Sequence, residues 1–205
     1  MRNALAAAVA ILALALPVRA RADNANGFLL GVGYGLHRYF NSSLAVQDYA
    51  QTRLFDGYYI QAHAGYQTKW GGQIALDWAH YDGSNLVALE KDSSLKLGLR
   101  TETISLMLGG EWGPGRWIRF HVGVLAGAAF GSFDRIFTLG SVTDEHSSTV
   151  LRPALGAQLG LDVLPLPWLT VGLRARGALT FRFSEDPDSA DLGGFFAGLT
   201  AGVVL

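Results

Sequence analysis

Apolar and polar residues alternate with a period of two along most of this chain. The segment beginning at Leu169 shows it most fully. Leu169, Val171, Leu173, Ala175, Leu179, Phe181 and Phe183 fall on one face. Thr170, Gly172, Arg174, Arg176, Ala178, Thr180 and Arg182 fall on the other. Successive side chains of a strand point to opposite faces, so this segment predicts a strand with one apolar side and one polar, small-residue side. Seven more segments repeat the pattern. Their apolar faces are led by Phe28–Leu36, Tyr58–Tyr66, Ile74–Trp78, Ile104–Leu108, Ile118–Val124, Leu151–Leu161 and Phe195–Leu205, each read at every second or fourth residue. After the amino terminus no run of 18 apolar residues occurs, so no transmembrane helix is expected.

The connections between these eight segments alternate in length. Short ones are expected at Lys69–Gly72, Trp112–Trp117 and Val163–Trp168. Long ones are expected at His37–Gly57, Tyr81–Arg100, Gly131–Ser148 and Ser184–Ala190. Four of the five tryptophans (Trp70, Trp112, Trp117 and Trp168) flank the short turns and predict an aromatic girdle at that end. Tyr34, Tyr58, Tyr81, Phe130 and Phe181 are candidates for a second girdle at the other end. Within the long connections, Leu86–Leu89 and Arg135–Leu139 are apolar stretches that read either as strand extensions or as a contact surface.

The first 22 residues read as an address. A positive start at Arg2 precedes an apolar run from Ala4 to Leu16, and Ala20 and Ala22 form an Ala-x-Ala cleavage site. The run is too short to cross a bilayer as a helix, which takes about 20 residues. Residues 1–22 are expected to be a cleaved signal peptide and residues 23–205 the working domain. Cleavage removes Arg2, Arg19 and Arg21 and shifts the net charge from −1 to about −4.

Export narrows the choice of fold. Alternation alone also fits a soluble sandwich or a lipocalin-like barrel, where the apolar face points inward. Here charged residues make up only 16% of the chain, against about 25% in ordinary soluble domains. The polar faces mix glycine with Arg119, Arg174, Arg176, Asp77, Asp162, Glu111, His63 and His121. Paired charges and small residues filling a narrow lumen give that pattern. Unpaired backbone groups in hydrocarbon cost several kcal/mol each, so strands cross a bilayer only in a closed sheet. The predicted fold is therefore an all-β, closed, antiparallel, eight-stranded up-and-down transmembrane barrel.

On these residues the chain resembles the small eight-stranded outer-membrane barrels, among them the transmembrane domain of outer-membrane protein A and the X- and W-type proteins. The resemblance is architectural and covers residues 23–205. It implies a bacterial outer-membrane location and contact with the bilayer, with lipopolysaccharide and with the barrel-assembly machinery. It also implies a monomer. That machinery often reads a terminal aromatic residue, whereas this chain ends in Leu205. The alternation runs up to that residue, so no separate periplasmic domain is expected.

Composition excludes some chemistry. There is no cysteine, hence no disulfide, thiolate metal site or cysteine nucleophile. No basic stripe points to nucleic acid, and no phosphate loop or zinc spacing suggests a cofactor or metal. The inward charges are expected to lie at similar depth and to form a salt-bridge plug. The alternative is a gate for a narrow small-solute channel. A second alternative, a lipid A-modifying enzyme, rests on His146 and Ser148 beside Asp144 and Glu145, which otherwise read as a polar external loop. His37–Phe40 reads as outer rim. The acidic stretch Ser184–Asp191 reads as a solvated loop, or as a cation site shared with lipopolysaccharide phosphates. The leading expectation is a non-enzymatic outer-membrane barrel with a structural or surface-interaction role and a largely plugged lumen.

Overall fold

The computed structural model describes residues 27–39, 56–89, 93–113, 117–166, 168–181 and 192–205. The expected signal peptide and the acidic stretch at 184–190 lie outside them. Eight strands follow in order: β1 (Gly27–Tyr39), β2 (Asp56–Gln67), β3 (Gly72–Leu89), β4 (Ser93–Trp112), β5 (Ile118–Leu139), β6 (Val142–Leu166), β7 (Leu169–Thr180) and β8 (Gly194–Val204). Each pairs antiparallel with the next, and β8 pairs back to β1, which closes the barrel. The up-and-down order puts the chain entry at Gly27, the end of β8 and the three short turns at one end, called here the turn end.

Side-chain parity follows the alternation read from the sequence. Leu36, Val124, Leu159 and Leu199 are more than half exposed on the outside. Asp77, His121, Gln158 and Asp162, on the inward parity, are almost wholly buried. The molecule is thus apolar outside and polar inside along much of its height. From Trp112 to Glu102 is ten residues; at about 3.3 Å each and a tilt of roughly 40° they cover about 25 Å, the height of a barrel's lipid-facing band.

Two of the expected long loops are not loops. Residues 81–89 and 93–100 continue β3 and β4, residues 131–139 and 142–148 continue β5 and β6, and the β5–β6 connection is only Gly140–Ser141. Gly140 supplies the positive φ (57°) that so tight a turn requires. The pairing of β4, β5 and β6 runs without a register shift through this region. What changes is the phase of the polarity. On β5 the outward series is Ile118, Phe120, Val122, Val124 and Phe130, then Ser132, Asp134, Ile136 and Thr138. The inward series is Arg119 and His121, then Ala129, Phe133 and Phe137. Apart from Ile136, the outward face turns polar and the inward face apolar near Phe130, so a search for one constant phase ends β5 too early. The stretches Leu86–Leu89 and Arg135–Leu139 are accordingly strand extensions.

The inversion dictates where a charge is tolerated. Val124→Arg, in the middle of the outward apolar band, should cost about 2–4 kcal/mol of folding stability in lipid vesicles. Thr138→Arg, on the same face beyond the inversion, should change it by less than about 0.5 kcal/mol. Urea titration of vesicle-embedded protein reads both, and equal costs would mean that the phase change does not mark the edge of the hydrocarbon.

Candidate functional site

The lumen gathers the inward charges into two tiers rather than the single level expected. Spacing along one strand separates them: Arg174 and Arg176 are successive inward positions on β7, roughly 6–7 Å apart. The tier nearer the turn end centres on Arg174. Its Nη2 donates to Asp162 Oδ2 at 2.6 Å and lies 3.9 Å from Glu111 Oε1. Arg119 Nη1 reaches Glu111 Oε2 at 3.4 Å, and His121 Nδ1 is 4.0 Å from Glu111 Oε1. Gln67 Nε2 donates to the same carboxylate at 3.5 Å.

The second tier centres on Asp77. Its carboxylate accepts from Arg176 Nη1 across the lumen and from Gln61 Nε2 at 2.6 Å, while Arg176 Nη2 donates to Thr103 Oγ1 at 3.4 Å. Gln158 caps the first tier, with its Nε2 2.7 Å from His121 Nε2 and 3.0 Å from Met107 Sδ. His63 is in register with Asp77 and with Gly31, and its ring occupies the space a side chain at Gly31 would need. The ion pairs are balanced. Asp77 answers Arg176, and Glu111 and Asp162 answer Arg119 and Arg174. Burying these charges unpaired would be prohibitive.

Beyond the Asp77 tier the lumen changes character. Tyr39, Tyr59, Tyr81, Leu99, Leu192 and Phe196 form a buried apolar plug. The Tyr81 and Phe196 rings stack at 4.1 Å, and Tyr59 packs on both at about 6 Å. Tyr39 OH is 3.0 Å from Thr101 Oγ1, which satisfies a hydroxyl the plug would otherwise strand. His37 sits edge-on to Tyr39 at 4.7 Å and is 3% exposed, so it belongs to the plug and not to the rim. Close packing here needs a missing side chain on the adjacent strand, where Gly35 is in register with Tyr59. A Cβ at Gly35 would come within 2.7 Å of Tyr59 Cε1.

Tyr39, Tyr81 and Leu99 lie in segments that the sequence reads as loop or girdle, while Tyr59 and Phe196 lie in the expected strands and only the closed sheet brings the five together. Tyr81 was expected in the outer girdle but is 1% exposed inside. Counting by twos from Asp77 through Ala79 gives its direction. Tyr34, Tyr58, Phe130 and Phe181 do face outward, and so do Trp70, Trp112 and Trp117 at the turn end; Trp168 is partly covered. His146 and Ser148 fall within β6, not in a loop. The serine bonded to an acid is Ser147, whose Oγ donates to Asp134 Oδ1 at 2.8 Å from the opposite face of the strand. His146 and Ser148 are not joined with an acid into a nucleophile–base–acid constellation among the described residues. Nor do three His, Asp or Glu side chains converge to hold a metal among those residues.

Removing one member of a buried pair strands the other. Arg176→Met alone should destabilise the barrel by about 3–5 kcal/mol, and adding Asp77→Leu should recover much of that loss. Urea unfolding of the two single variants and the double variant measures the coupling. Additive losses would mean that Arg176 and Asp77 are not energetically coupled and would contradict the pairing.

No protein-family model matches the chain, and neither does any curated protein sequence. Solved structures do match. Neisserial surface protein A is similar at 14% sequence identity over 90% of this chain and 99% of that one, with a TM-score of 0.54. The outer membrane protein OprG from Pseudomonas aeruginosa is similar at 14% identity over 90% of this chain and 98% of that one, with a TM-score of 0.53. At such identity the likeness concerns architecture, and with the closed strand order and the inside-out polarity it shows that this chain has the fold of the small eight-stranded outer-membrane β-barrels.

Proposed function

We propose that this protein is an exported, integral outer-membrane barrel with a sealed lumen and a structural or surface-interaction role. The observation that carries the reading is the double closure of the lumen, two balanced ion-pair tiers followed by a stacked aromatic plug. A barrel that passed solutes would need a continuous wet path. Here the inward side chains of Asp77, His121 and Tyr81 are each at most 1% exposed. The outward apolar band supports residence in a bilayer, where only a closed sheet satisfies every backbone group. The signal-like residues 1–22 supply the route, and the tryptophan-flanked turns supply the inner interface. Matches named as a surface protein and an outer membrane protein accord with that location. The barrel acts as a monomer, is inserted by the assembly machinery and contacts lipopolysaccharide. It uses no cofactor, binds no nucleic acid and has no catalytic role.

Single-channel recording of the refolded chain in planar bilayers tests this directly. The wild type should be silent. Arg174→Ala/Arg176→Ala should also stay nearly silent, because the aromatic plug survives it, and current should appear once Tyr81→Ala and Phe196→Ala are added. A steady, ion-selective wild-type current would make the protein a channel and overturn the reading.

A further inference from the structure

On the outer wall, at the end of the barrel away from the short turns, the strands β8, β1 and β2 frame an open groove of about 590 Å³. Its construction follows from register. Ala197, Leu36 and Tyr58 lie side by side across the three strands, and Phe195 lies beside Arg38 one step closer to the rim. The small Ala197 leaves a depression between the larger Phe195 and Tyr58 side chains. Leu36, 73% exposed, lines the groove with an open apolar surface. Tyr58 is braced from behind: its OH donates to Asp82 Oδ2 at 3.5 Å, and Asp82 is held by Arg100 Nε at 3.6 Å. The Tyr34 ring stacks on Tyr58 at 6.3 Å on the side toward the apolar band.

The groove has a direction. Its lower part is apolar and continuous with the outward band, while the exposed Arg38 lines its rimward part. We propose that it is a docking site for one phosphate-bearing lipid of the outer leaflet, an acyl chain lying on Leu36 and Ala197 and a phosphate on the Arg38 guanidinium. The order of chemistries along the groove matches the order along such a lipid as it stands in a membrane. A guanidinium at the interface matches phosphate with two parallel N–H···O bonds. A general apolar surface would hold exchangeable lipid without regard to its headgroup. A groove that ends in a cation selects one. The inference rests on the outer-membrane reading above, which sets which leaflet meets this end.

Native mass spectrometry of the refolded chain, titrated with diphosphoryl lipid A or with its dephosphorylated form, tests the site. The wild type should retain one diphosphoryl lipid per barrel. Arg38→Gln should weaken that retention about tenfold and leave the dephosphorylated lipid unchanged. Ala197→Trp, which fills the depression, should weaken both. Equal retention of both lipids by the wild type and both variants would mean bulk lipid contact only and overturns the site, while the outer-membrane reading stands. If the wild type does not insert into lipid vesicles, the outer-membrane reading itself fails and the site fails with it.

Discussion

Eleven residue pairs, from Leu29–Val204 to Tyr39–Gly194, join the last strand back to the first, and the rest of the molecule depends on that seam. In hydrocarbon an open sheet edge leaves a row of unsatisfied N–H and C=O groups, each costing several kcal/mol. Closure removes the edge. It also sets the diameter, because eight tilted strands enclose a space that side chains can fill. Once the wall is closed at that size, whatever points inward must pack against the opposite wall.

The contents of the lumen follow from that geometry. Charges sit inside because the outer face is apolar, and they are tolerated only as pairs. Asp77 is opposed by Arg176, and Asp162 and Glu111 by Arg174 and Arg119. Bulky side chains fit where a neighbouring residue has none. Tyr59 lies against Gly35 of the adjacent strand, and Leu192 occupies the space beside Gly131. These two inward glycines serve packing by making room for those residues.

The strand count, the parity of most inward and outward residues and the sidedness of the short turns were legible in the sequence, because each depends on local alternation. Three things were not. Which acid each arginine meets, Asp162 for Arg174 and Asp77 for Arg176, depends on stagger between strands, which alternation does not encode. The plug formed by Tyr39, Tyr59, Tyr81 and Phe196 joins four strands across the lumen and has no local signature. The extension of β5 keeps the period of two but reverses its phase near Phe130, and a reader tracking one phase takes the reversal for a loop. That reversal is itself informative, since it marks where the surroundings of the outer face change from apolar to polar.

Accessibility of a single thiol tests the central claim, a sealed lumen within an inside-out barrel. The chain has no cysteine, so the background is clean. Ser105→Cys places a thiol in the lumen beside the Asp77 tier, Leu106→Cys on the outer band, and Thr138→Cys beyond the phase reversal. With a membrane-impermeant thiol reagent on both sides of vesicle-embedded protein, the account predicts rapid labelling of Thr138→Cys and none of the other two. Labelling of Ser105→Cys at a comparable rate, with Leu106→Cys still protected, would show a water-filled lumen and contradict it.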